Sequence, residues 1–506
     1  MAFQEVIGLK LSCSDIPLEC GLGTQVKVLI INEGAQRFTQ VGQTELRTGK
    51  SPAFEELVSV VFSLELNQRL KFCLYQGEKE VGGVETGFRD LVMSSGQLYL
   101  PLDSADGNWE ADDSPLLGIN VTESEQVING TVIQLRANHL NVDEVINPAP
   151  YFVLNRIQSS IDSFPTLLYR SELVPNSTHP KWNQFTVPTS ALTTIKPSIL
   201  EIAVYHFIHN KAEDYLVGKF TITFFQLLNG SLGNKFMLHG SNGKKKENVY
   251  VEVVQFGSVP KIPTFISAIR IGLKLHFSMA IDFTANNGGQ NDPQSLHFVH
   301  PHHHNMYSQA IHEVGVEICK IDKLQRISVF GFGAKVPPKF EYSPLFPLTG
   351  DMNNTIIRGL DNVMTGYRRA VMSVLPYAPT EYVSPIHHIV KMAKAAVKTG
   401  TSLYFVLVIF TNGALKNHKE SMDVIVNSSH LPISIVFVAI GNEHHPIGQG
   451  DHSKITRLID PTAKSTENVP LKRQNVVYTE FKQGKAFARE SLKEVNLQGT
   501  QWLLTK

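Results

Sequence analysis

Three oxygen-bearing side chains follow an apolar stretch of the chain at every second position. Residues 279–281 lead into Asp282, and Thr284 and Asn286 follow before Gly288. This spacing can turn three oxygen atoms toward one point, as a hard cation such as Mg²⁺ requires. The simpler alternative is a capped turn, in which Asp282 and Thr284 bond only the local backbone. The segment therefore predicts a metal site at a strand end or a capped turn.

The elements that carry this segment alternate between apolar strands and helices. From residue 257 onward, nearly continuous apolar runs at 273–284, 327–333, 403–411 and 433–441 are separated by helical patterns at 305–320, 355–375, 385–398 and 416–428. Ser384 and Pro385 have the types expected for an N-cap and a first helical position. Strand–helix alternation predicts a doubly wound α/β domain, whose ligands bind at the carboxyl ends of its parallel strands. Asp282 and Thr411 both lie at such ends.

The first half of the chain has a different period. Short alternating apolar and polar runs are separated by turns that contain Gly and Asn, a pattern typical of antiparallel β-sandwiches. The runs form two blocks, and the polar, acidic residues 103–126 lie between them. We therefore predict two all-β sandwiches, residues 1–126 and 127–256, followed by the α/β domain at 257–506.

Composition excludes several classes of protein. The 506 residues contain 46 Lys and Arg against 46 Asp and Glu, so no overall positive charge favours nucleic acid. The four cysteines have no zinc-ligand spacing and suit buried free thiols. The longest apolar runs are far too short to span a membrane, and residues 1–20 have no signal-peptide pattern. We expect a cytosolic protein.

Several motifs, in order along nearly the whole chain, resemble those of the copine family. They are Ala280-Ile-Asp-Phe-Thr-Ala-Asn-Asn-Gly, Ser295-Leu-His-Phe, Val329-Phe-Gly-Phe-Gly-Ala-Lys, Ala378-Pro-Thr-Glu-Tyr-Val-Ser-Pro-Ile and Phe410-Thr-Asn-Gly. The resemblance implies two C2 domains followed by a von Willebrand A-like domain. It also implies a cytosolic protein that binds phospholipid at the plasma membrane or other cytosol-facing membranes, usually under calcium control, and recruits protein partners through the A domain.

Most of the calcium ligands that the resemblance implies are missing. A C2 domain binds calcium with about five aspartates on two loops, because Ca²⁺ takes six to eight oxygen ligands. The first sandwich has Gln76 in place of one aspartate. The second keeps only Asp143, Glu144 and Asp214, and its third loop is rich in His and Lys. We expect calcium binding at both C2 domains to be weak or absent.

Basic side chains are the alternative lipid contacts. Lys211 lies in the third loop of the second sandwich, and Lys244, Lys245 and Lys246 form a short run in its last connection. Basic residues near an anionic lipid surface each contribute about 1 kcal/mol to binding. His206 and His209 in the same loop would add attraction below about pH 6.5. The alternative is that these are ordinary solvated residues of a loop and a hairpin tip.

The metal site of the A domain transfers only in part. The family pattern has Asp, Thr and Ser in a first loop, Thr in a second loop and Asp in a third. The corresponding residues of this chain are Asp282, Thr284, Asn286, Thr380 and Asn412, so Asn replaces the Ser and the last Asp. A single carboxylate remains, and the Asn oxygens bring less charge. Both a Mg²⁺ site and a site without metal stay open, and a partner could dock there in either case.

Other motifs indicate little chemistry. His300-Pro-His-His-His304, with His297 nearby, could bind a transition metal, but adjacent histidines alternate in direction. Gly331 and Gly333 form half of a dinucleotide-binding fingerprint whose third glycine is missing. No nucleophile elbow, metalloprotease motif or kinase motif set is present. We predict a non-enzymatic membrane adaptor that does not bind nucleic acid. The alternative is an enzyme that binds or hydrolyses nucleotides on the doubly wound domain.

Overall fold

The computed structural model describes most of the chain. The described residues are 4–17, 22–64, 66–94, 97–107, 109, 114–123, 128–140, 148–157, 165–192, 199–208, 213–229, 233–260, 262–289, 291–300, 303–322, 324–377, 380–413, 415, 418–441, 453–460, 462–482 and 487–505. They form two compact units. One comprises residues 1–128 with 266–272, and the other comprises residues 129–265 with 273–506.

The first unit contains an all-β sandwich of two antiparallel sheets. One sheet has the strand order β4-β1-β9-β7 and the other β3-β2-β5-β6-β8. Strands and helix are β1 Gln4–Ser14, β2 Thr24–Ile31, β3 Thr39–Gln43, β4 Val58–Ser63, β5 Arg69–Gln76, β6 Lys79–Gly87, α1 Phe88–Met93, β7 Gln97–Pro101, β8 Asp103–Ser104 and β9 Leu116–Glu123. Along β2 every second residue is buried, as expected for a strand with one face on the core.

The second unit begins with another antiparallel sandwich. Its eight strands are hydrogen-bonded in the order β12-β11-β14-β15-β16-β17-β10-β13. The elements are β10 Ile128–Asn138, β11 Pro150–Ile157, β12 Thr166–Arg170, β13 Phe185–Pro188, α2 Thr189–Leu192, β14 Ile199–His206, β15 Tyr215–Thr223, α3 Phe224–Asn229, β16 Lys235–His239 and β17 Lys245–Pro260. Helix α4, Phe265–Arg270, follows. The predicted domain boundary at 256/257 lies inside β17.

The rest of the second unit is an α/β domain. Its strands are β18 Lys274–Asp282, β19 Arg326–Phe332, β20 Ala334–Val336, β21 Glu341–Ser343, β22 Phe346–Pro347, β23 Ile356–Arg358, β24 Leu375–Pro376, β25 Leu403–Thr411, β26 Ile433–Ala439 and β27 Val476–Glu480. Its helices are α5 Met306–Ile321, α6 Leu360–Ser373, α7 Val383–Lys398, α8 His418–Ser428, α9 Ser453–Thr456 and α10 Phe487–Leu504. Two 3-10 turns occur at Ala285–Asn287 and Arg457–Ile459.

Five of these strands form the parallel core of the sheet, in the order β19-β18-β25-β26-β27. β18 comes first in the chain but lies between β19 and β25, so the strand order reverses there. In open α/β sheets, ligands bind at such a switch point, outside the carboxyl ends of the strands. The predicted fold class, two sandwiches and a doubly wound domain, is confirmed.

Local details differ from the prediction in one place and agree in others. Helix α7 begins at Val383 with Tyr382 as its N-cap, so the Ser384 cap was wrong. Cys13, Cys73 and Cys319 are free thiols, whereas Cys20 lies outside the described residues. In the part of the chain that the structure describes, no helix has the length and apolarity needed to cross a membrane.

Candidate functional site

Asp282 is the centre of the candidate site, and two neighbouring strands hold it. It is the last residue of β18, and Thr411 is the last residue of β25 beside it. The Asp282 side chain is fully buried. Its Oδ1 accepts a hydrogen bond from the Thr284 backbone N–H at 2.9 Å, and its Oδ2 accepts one from the Thr411 hydroxyl at 2.7 Å. The capped turn that the sequence offered as an alternative is therefore present.

Hydroxyl and amide groups extend from this carboxylate toward the edge of the sheet. The Thr284 and Thr380 hydroxyl oxygens are 2.9 Å apart, and the Asn286 amide donates to Thr380 Oγ1 at 3.3 Å. Both threonines are buried, and Asn286 is exposed. Four of the five predicted metal-site residues are thus joined by hydrogen bonds. The fifth, Asn412, is buried directly after Thr411.

The electrostatics of the cluster disfavour a free negative charge. Burial raises the pKa of Asp282 above its usual range, and the hydrogen bonds from Thr411 and Thr284 lower it less than burial raises it. Within the described residues, no group of three or more His, Cys, Asp or Glu side chains could hold a metal ion. A cation here would meet one carboxylate and otherwise neutral oxygens.

The spacing of those oxygens nevertheless suits a small cation. An octahedral Mg²⁺ ion with metal–oxygen bonds of about 2.05 Å holds neighbouring ligands about 2.9 Å apart. The hydroxyl oxygens of Thr284 and Thr380 are separated by that distance. Rotation of the Asn286 amide would turn its oxygen, rather than its nitrogen, toward them. The same distance is also that of the hydrogen bond between the two hydroxyls, so a weak Mg²⁺ site held by Asp282, Thr284, Thr380 and Asn286 stays a prediction.

Sequence reasoning missed the buried groups that support the turn. His297 Nε2 donates to the Asp282 carbonyl oxygen at 2.7 Å, and its Nδ1 lies 2.8 Å from the Tyr367 hydroxyl. Burial lowers the pKa of His297 to about 4, so the ring is neutral near pH 7. Asn287 donates to the same carbonyl at 3.1 Å and accepts from the Tyr307 hydroxyl at 2.7 Å. His297 is a positioning residue and not the metal ligand that the histidine run suggested.

Thr411 was also missing from the predicted site residues, although its position at a strand end could have indicated it. The sequence placed it at the end of an apolar strand, but the family pattern drew attention to Asn412, the next residue. In the structure it is Thr411 whose hydroxyl donates to Asp282, and the Tyr382 hydroxyl lies 2.9 Å from Thr411 Oγ1. Successive residues of a strand face opposite sides of the sheet. The sequence pattern could not decide whether Thr411 or Asn412 faces Asp282.

The glycines of the half fingerprint serve packing. A Cβ atom on Gly331 would overlap the Phe346 ring, and one on Gly333 would overlap the Thr284 methyl group. Gly333 also has a φ of +77°, a conformation that favours glycine. Side chains fill the space beside these two glycines. A dinucleotide-binding site would need that space to be open for the phosphate groups. The sequence-based alternative of a nucleotide enzyme gains no support here.

A second candidate site is the loop end of the second sandwich, where the resemblance places calcium. Asp214 Oδ1 accepts a hydrogen bond from the Ile208 backbone N–H at 2.8 Å, and Oδ2 accepts one from the Tyr151 hydroxyl at 2.7 Å. Lys464, from the α/β domain, forms an ion pair with Asp214 and also donates to the Ile208 carbonyl at 3.1 Å. Asp143 and Glu144 lie outside the described residues.

The predicted lipid-contact residues divide into three cases. His206 is fully buried, its Nε2 lies 2.7 Å from the Leu140 carbonyl oxygen, and burial lowers its pKa, so the suggestion that it meets headgroups was wrong. Lys244 and Lys245 are exposed at the tip of the β16–β17 hairpin, and Lys246 is half-buried. His209 and Lys211 lie outside the described residues.

Comparison with known proteins identifies two regions of the chain. A family model described as Copine matches residues 295–506, and one described as C2 domain matches residues 131–238. Among solved structures, BON1-C2B is 22% identical with a TM-score of 0.23, covering 27% of this chain and 99% of its own. The calcium-bound C2A and C2B domains of extended synaptotagmin 2 are 13% identical with a TM-score of 0.20, covering 51% and 98%. Superpositions this weak add nothing to the family matches.

Proposed function

The chain belongs to the copine family, and from that premise we propose that it is a peripheral membrane adaptor without a strong calcium switch. Copine and C2 domains support binding to phospholipid membranes, and both families are generally non-enzymatic. In this proposal the sandwiches contact anionic, cytosol-facing membrane through basic side chains. The copine domain recruits a protein partner at the edge of the sheet around Asp282.

The observation that carries the proposal is the state of Asp214. Calcium in a C2 domain needs several carboxylates with oxygen atoms free to coordinate it. Both carboxylate oxygens of Asp214 are already bonded, to Ile208, Tyr151 and Lys464. The Asp214 side chain is 0% exposed and that of Lys464 is 3% exposed. A lysine ammonium from the same chain thus neutralises the one described acidic remnant of this loop end.

Lipid contact without calcium would fall to the hairpin at Lys244 and Lys245. Both side chains are exposed. The turn is fixed by hydrogen bonds from the Gly240 N–H to the Lys244 carbonyl and from the Gly243 N–H to the Gly240 carbonyl, both at 2.9 Å. Two such residues near an anionic surface contribute about 2 kcal/mol, and added salt weakens that attraction. The contact supports association with membranes that is reversible and independent of calcium.

Partner docking would use the strand-end cluster. Asn286 is exposed and lies over the buried hydroxyls of Thr284 and Thr380, so a partner can reach it. Mg²⁺, when bound by Asp282, Thr284, Thr380 and Asn286, would supply a positive charge for an acidic group of the partner. Without the ion, the exposed amide of Asn286 remains within reach of a partner.

The membrane part of the proposal is tested by sedimentation with phosphatidylserine vesicles, in calcium and in chelator. We expect equal pelleting in the two conditions and a loss of pelleting in Lys244→Glu/Lys245→Glu. The control is Lys181→Glu/Lys235→Glu, which makes the same charge change at exposed lysines of the same sandwich. Pelleting that depends on calcium, or that falls equally in both double variants, contradicts the proposal.

The docking part is tested with Asn286→Ala against Asn291→Ala. Both asparagines are exposed, so neither change should disturb the fold. Partners captured from extract by the wild type and identified by mass spectrometry should be lost with Asn286→Ala and kept with Asn291→Ala. An identical set of partners from both variants would exclude the Asp282 edge as the docking site.

A further inference from the structure

A cavity lies at the opposite end of the copine-domain sheet from Asp282. Its volume is about 500 Å³, and its walls include Leu403, Ser429, His430, Lys472, Arg473 and Trp502. Leu403 begins β25 and Thr411 ends it. Eight residue steps of about 3.3 Å place the two ends of that strand about 26 Å apart. This cavity is therefore separate from the Asp282 cluster.

A buried positive charge is the unusual feature of the cavity wall. Arg473 is only 5% exposed, and its guanidinium donates to the backbone carbonyls of Leu431, Ile433 and Gln474. Its remaining polar neighbour is the Tyr404 phenol. No carboxylate of the described residues forms an ion pair with it. Carbonyl groups accept hydrogen bonds from its Nη1 and Nη2 but do not cancel its charge, and an uncompensated buried charge is costly.

Two further basic side chains line the same cavity. Lys472 and His430 are both exposed and line the cavity with Arg473. The pKa of His430 is lowered, first by burial and then by the positive charges of Lys472, Lys394 and Arg473. None of the residues that line the cavity is Asp or Glu. Three basic side chains thus line one space, and none of the described residues that line it is acidic.

Arg473 can be explained by a structural role alone, but its basic neighbours cannot. An arginine that ties three backbone carbonyls together stabilises the start of β26 and needs no ligand. The Lys472 backbone N–H donates to Ser429 Oγ at 3.0 Å, which fixes the main chain beside the cavity that Lys472 lines. A structural role for Arg473 does not explain why Lys472 and His430 line the same open cavity.

We propose that this cavity binds the phosphate groups of a small phosphorylated molecule of about the size of an inositol phosphate. Arginine and lysine are the usual protein partners of phosphate, and multiple charges need multiple cations. A volume of about 500 Å³ lies within the range of small-molecule sites and is too large for inorganic phosphate alone. Trp502 and Leu403 provide an apolar wall for the carbon ring. The molecule is either a soluble inositol phosphate or the headgroup of a phosphoinositide.

The first test is calorimetric titration of the full-length protein with inositol hexakisphosphate near physiological salt. The wild type should bind it, and Lys472→Glu should weaken binding at least tenfold. Lys339→Glu makes the same charge change at an exposed lysine that does not line the cavity, and should bind like the wild type. No binding by the wild type, or equal weakening in both variants, overturns the proposal.

A second measurement separates the two sources of phosphate. Vesicles containing phosphatidylinositol 4,5-bisphosphate are sedimented with Lys244→Glu/Lys245→Glu protein, with and without Lys472→Glu. A further loss of pelleting with Lys472→Glu assigns the lipid headgroup. Unchanged pelleting, together with weakened titration, assigns the soluble molecule. If Lys472→Glu alters neither, the cavity does not bind phosphate, whatever the outcome for the membrane adaptor proposal.

Discussion

The ammonium group of Lys464 lies on the carboxylate of Asp214, 250 residues earlier in the chain, and both side chains are buried. The pair joins the second sandwich to the copine domain within one compact unit. Around it, Tyr151, Val153 and Leu167 of the sandwich pack with Val426 and Leu471 of the copine domain. The loop end that binds calcium in other C2 domains is used here for a contact inside the molecule.

Replacing Lys464 with Met should destabilise this unit strongly. The change leaves Asp214 buried without its counter-charge, and breaking a buried ion pair from one side costs about 3–5 kcal/mol. We expect a clear fall in the urea midpoint of unfolding, followed by tryptophan fluorescence. Trp182 of the sandwich and Trp502 of the copine domain are both buried and report on this unit.

The matched control is Lys482→Met, because Lys482 pairs with Glu480 at 3.5 Å with both side chains 43% exposed. Exposed pairs contribute about 0–1 kcal/mol, so its midpoint should hardly move. The double variant Lys464→Met/Asp214→Leu removes both charges and should recover much of the loss. Equal midpoints for Lys464→Met and Lys482→Met would show that the buried pair does not join the domains.

The sequence could predict the centre of the Asp282 cluster because parallel strands end at one edge of a sheet. Asp282, Thr284 and Asn286 are neighbours in the chain, and the family resemblance added Thr380. His297 and Thr411 were missed, since their roles depend on which buried face each one meets after folding. The same holds for Lys464. Nothing in residues 462–466 marks a lysine that contacts a sandwich formed 250 residues earlier.

The ends of helices and strands also have either local causes, which the sequence reveals, or tertiary causes, which it does not. Gly400 has a φ of +67° and lies just after the end of α7 at Lys398, a local effect of glycine. β17 instead continues to Pro260, past the predicted boundary, because pairing with neighbouring strands extends it. Composition at residue 256 contains no signal for that extension.

Gly333→Ala should disturb the Asp282 cluster, because a Cβ there overlaps the Thr284 methyl group. Gly350→Ala is the matched control. Both glycines have positive φ, +77° and +85°, but Gly350 has open space around its Cα. Backbone strain of about 1 kcal/mol is common to both, and overpacking should add about 1–3 kcal/mol at Gly333 alone. Thermal unfolding of the two variants gives the difference, and equal melting temperatures would contradict the overlap.

Thr411→Val should cost more stability than Thr380→Val, although both remove one buried hydroxyl. The Thr411 hydroxyl donates to the buried Asp282 carboxylate, whereas the Thr380 hydroxyl contacts Thr284 and the exposed Asn286. Asp282 keeps its bond from the Thr284 N–H, so the loss is that of one hydrogen bond to a charged group, about 1.5–3 kcal/mol, against about 1 kcal/mol for a neutral one. Urea unfolding at pH 7 measures both losses. A larger loss for Thr380→Val would show that Asp282 does not depend on Thr411.

His297 should make stability depend on pH between about 4 and 6.5. Its pKa is lowered from 6.5 to about 4 by burial, so between these values the unfolded chain binds a proton that the folded protein does not. Stability is therefore lost as pH falls, with a slope of up to about 1.4 kcal/mol per pH unit. Between pH 7 and pH 5 this loss amounts to about 2 kcal/mol.

The variant His297→Gln removes the titrating ring and should remove that part of the pH dependence, even if it lowers stability at every pH. His304→Gln changes an exposed histidine seven residues away and should keep the wild-type slope. Urea midpoints at pH 7, 6 and 5 for the three proteins provide the comparison. If His297→Gln loses stability with falling pH as steeply as the wild type, the ring is not held neutral beneath Asp282, and its bond to that carbonyl does not position the site.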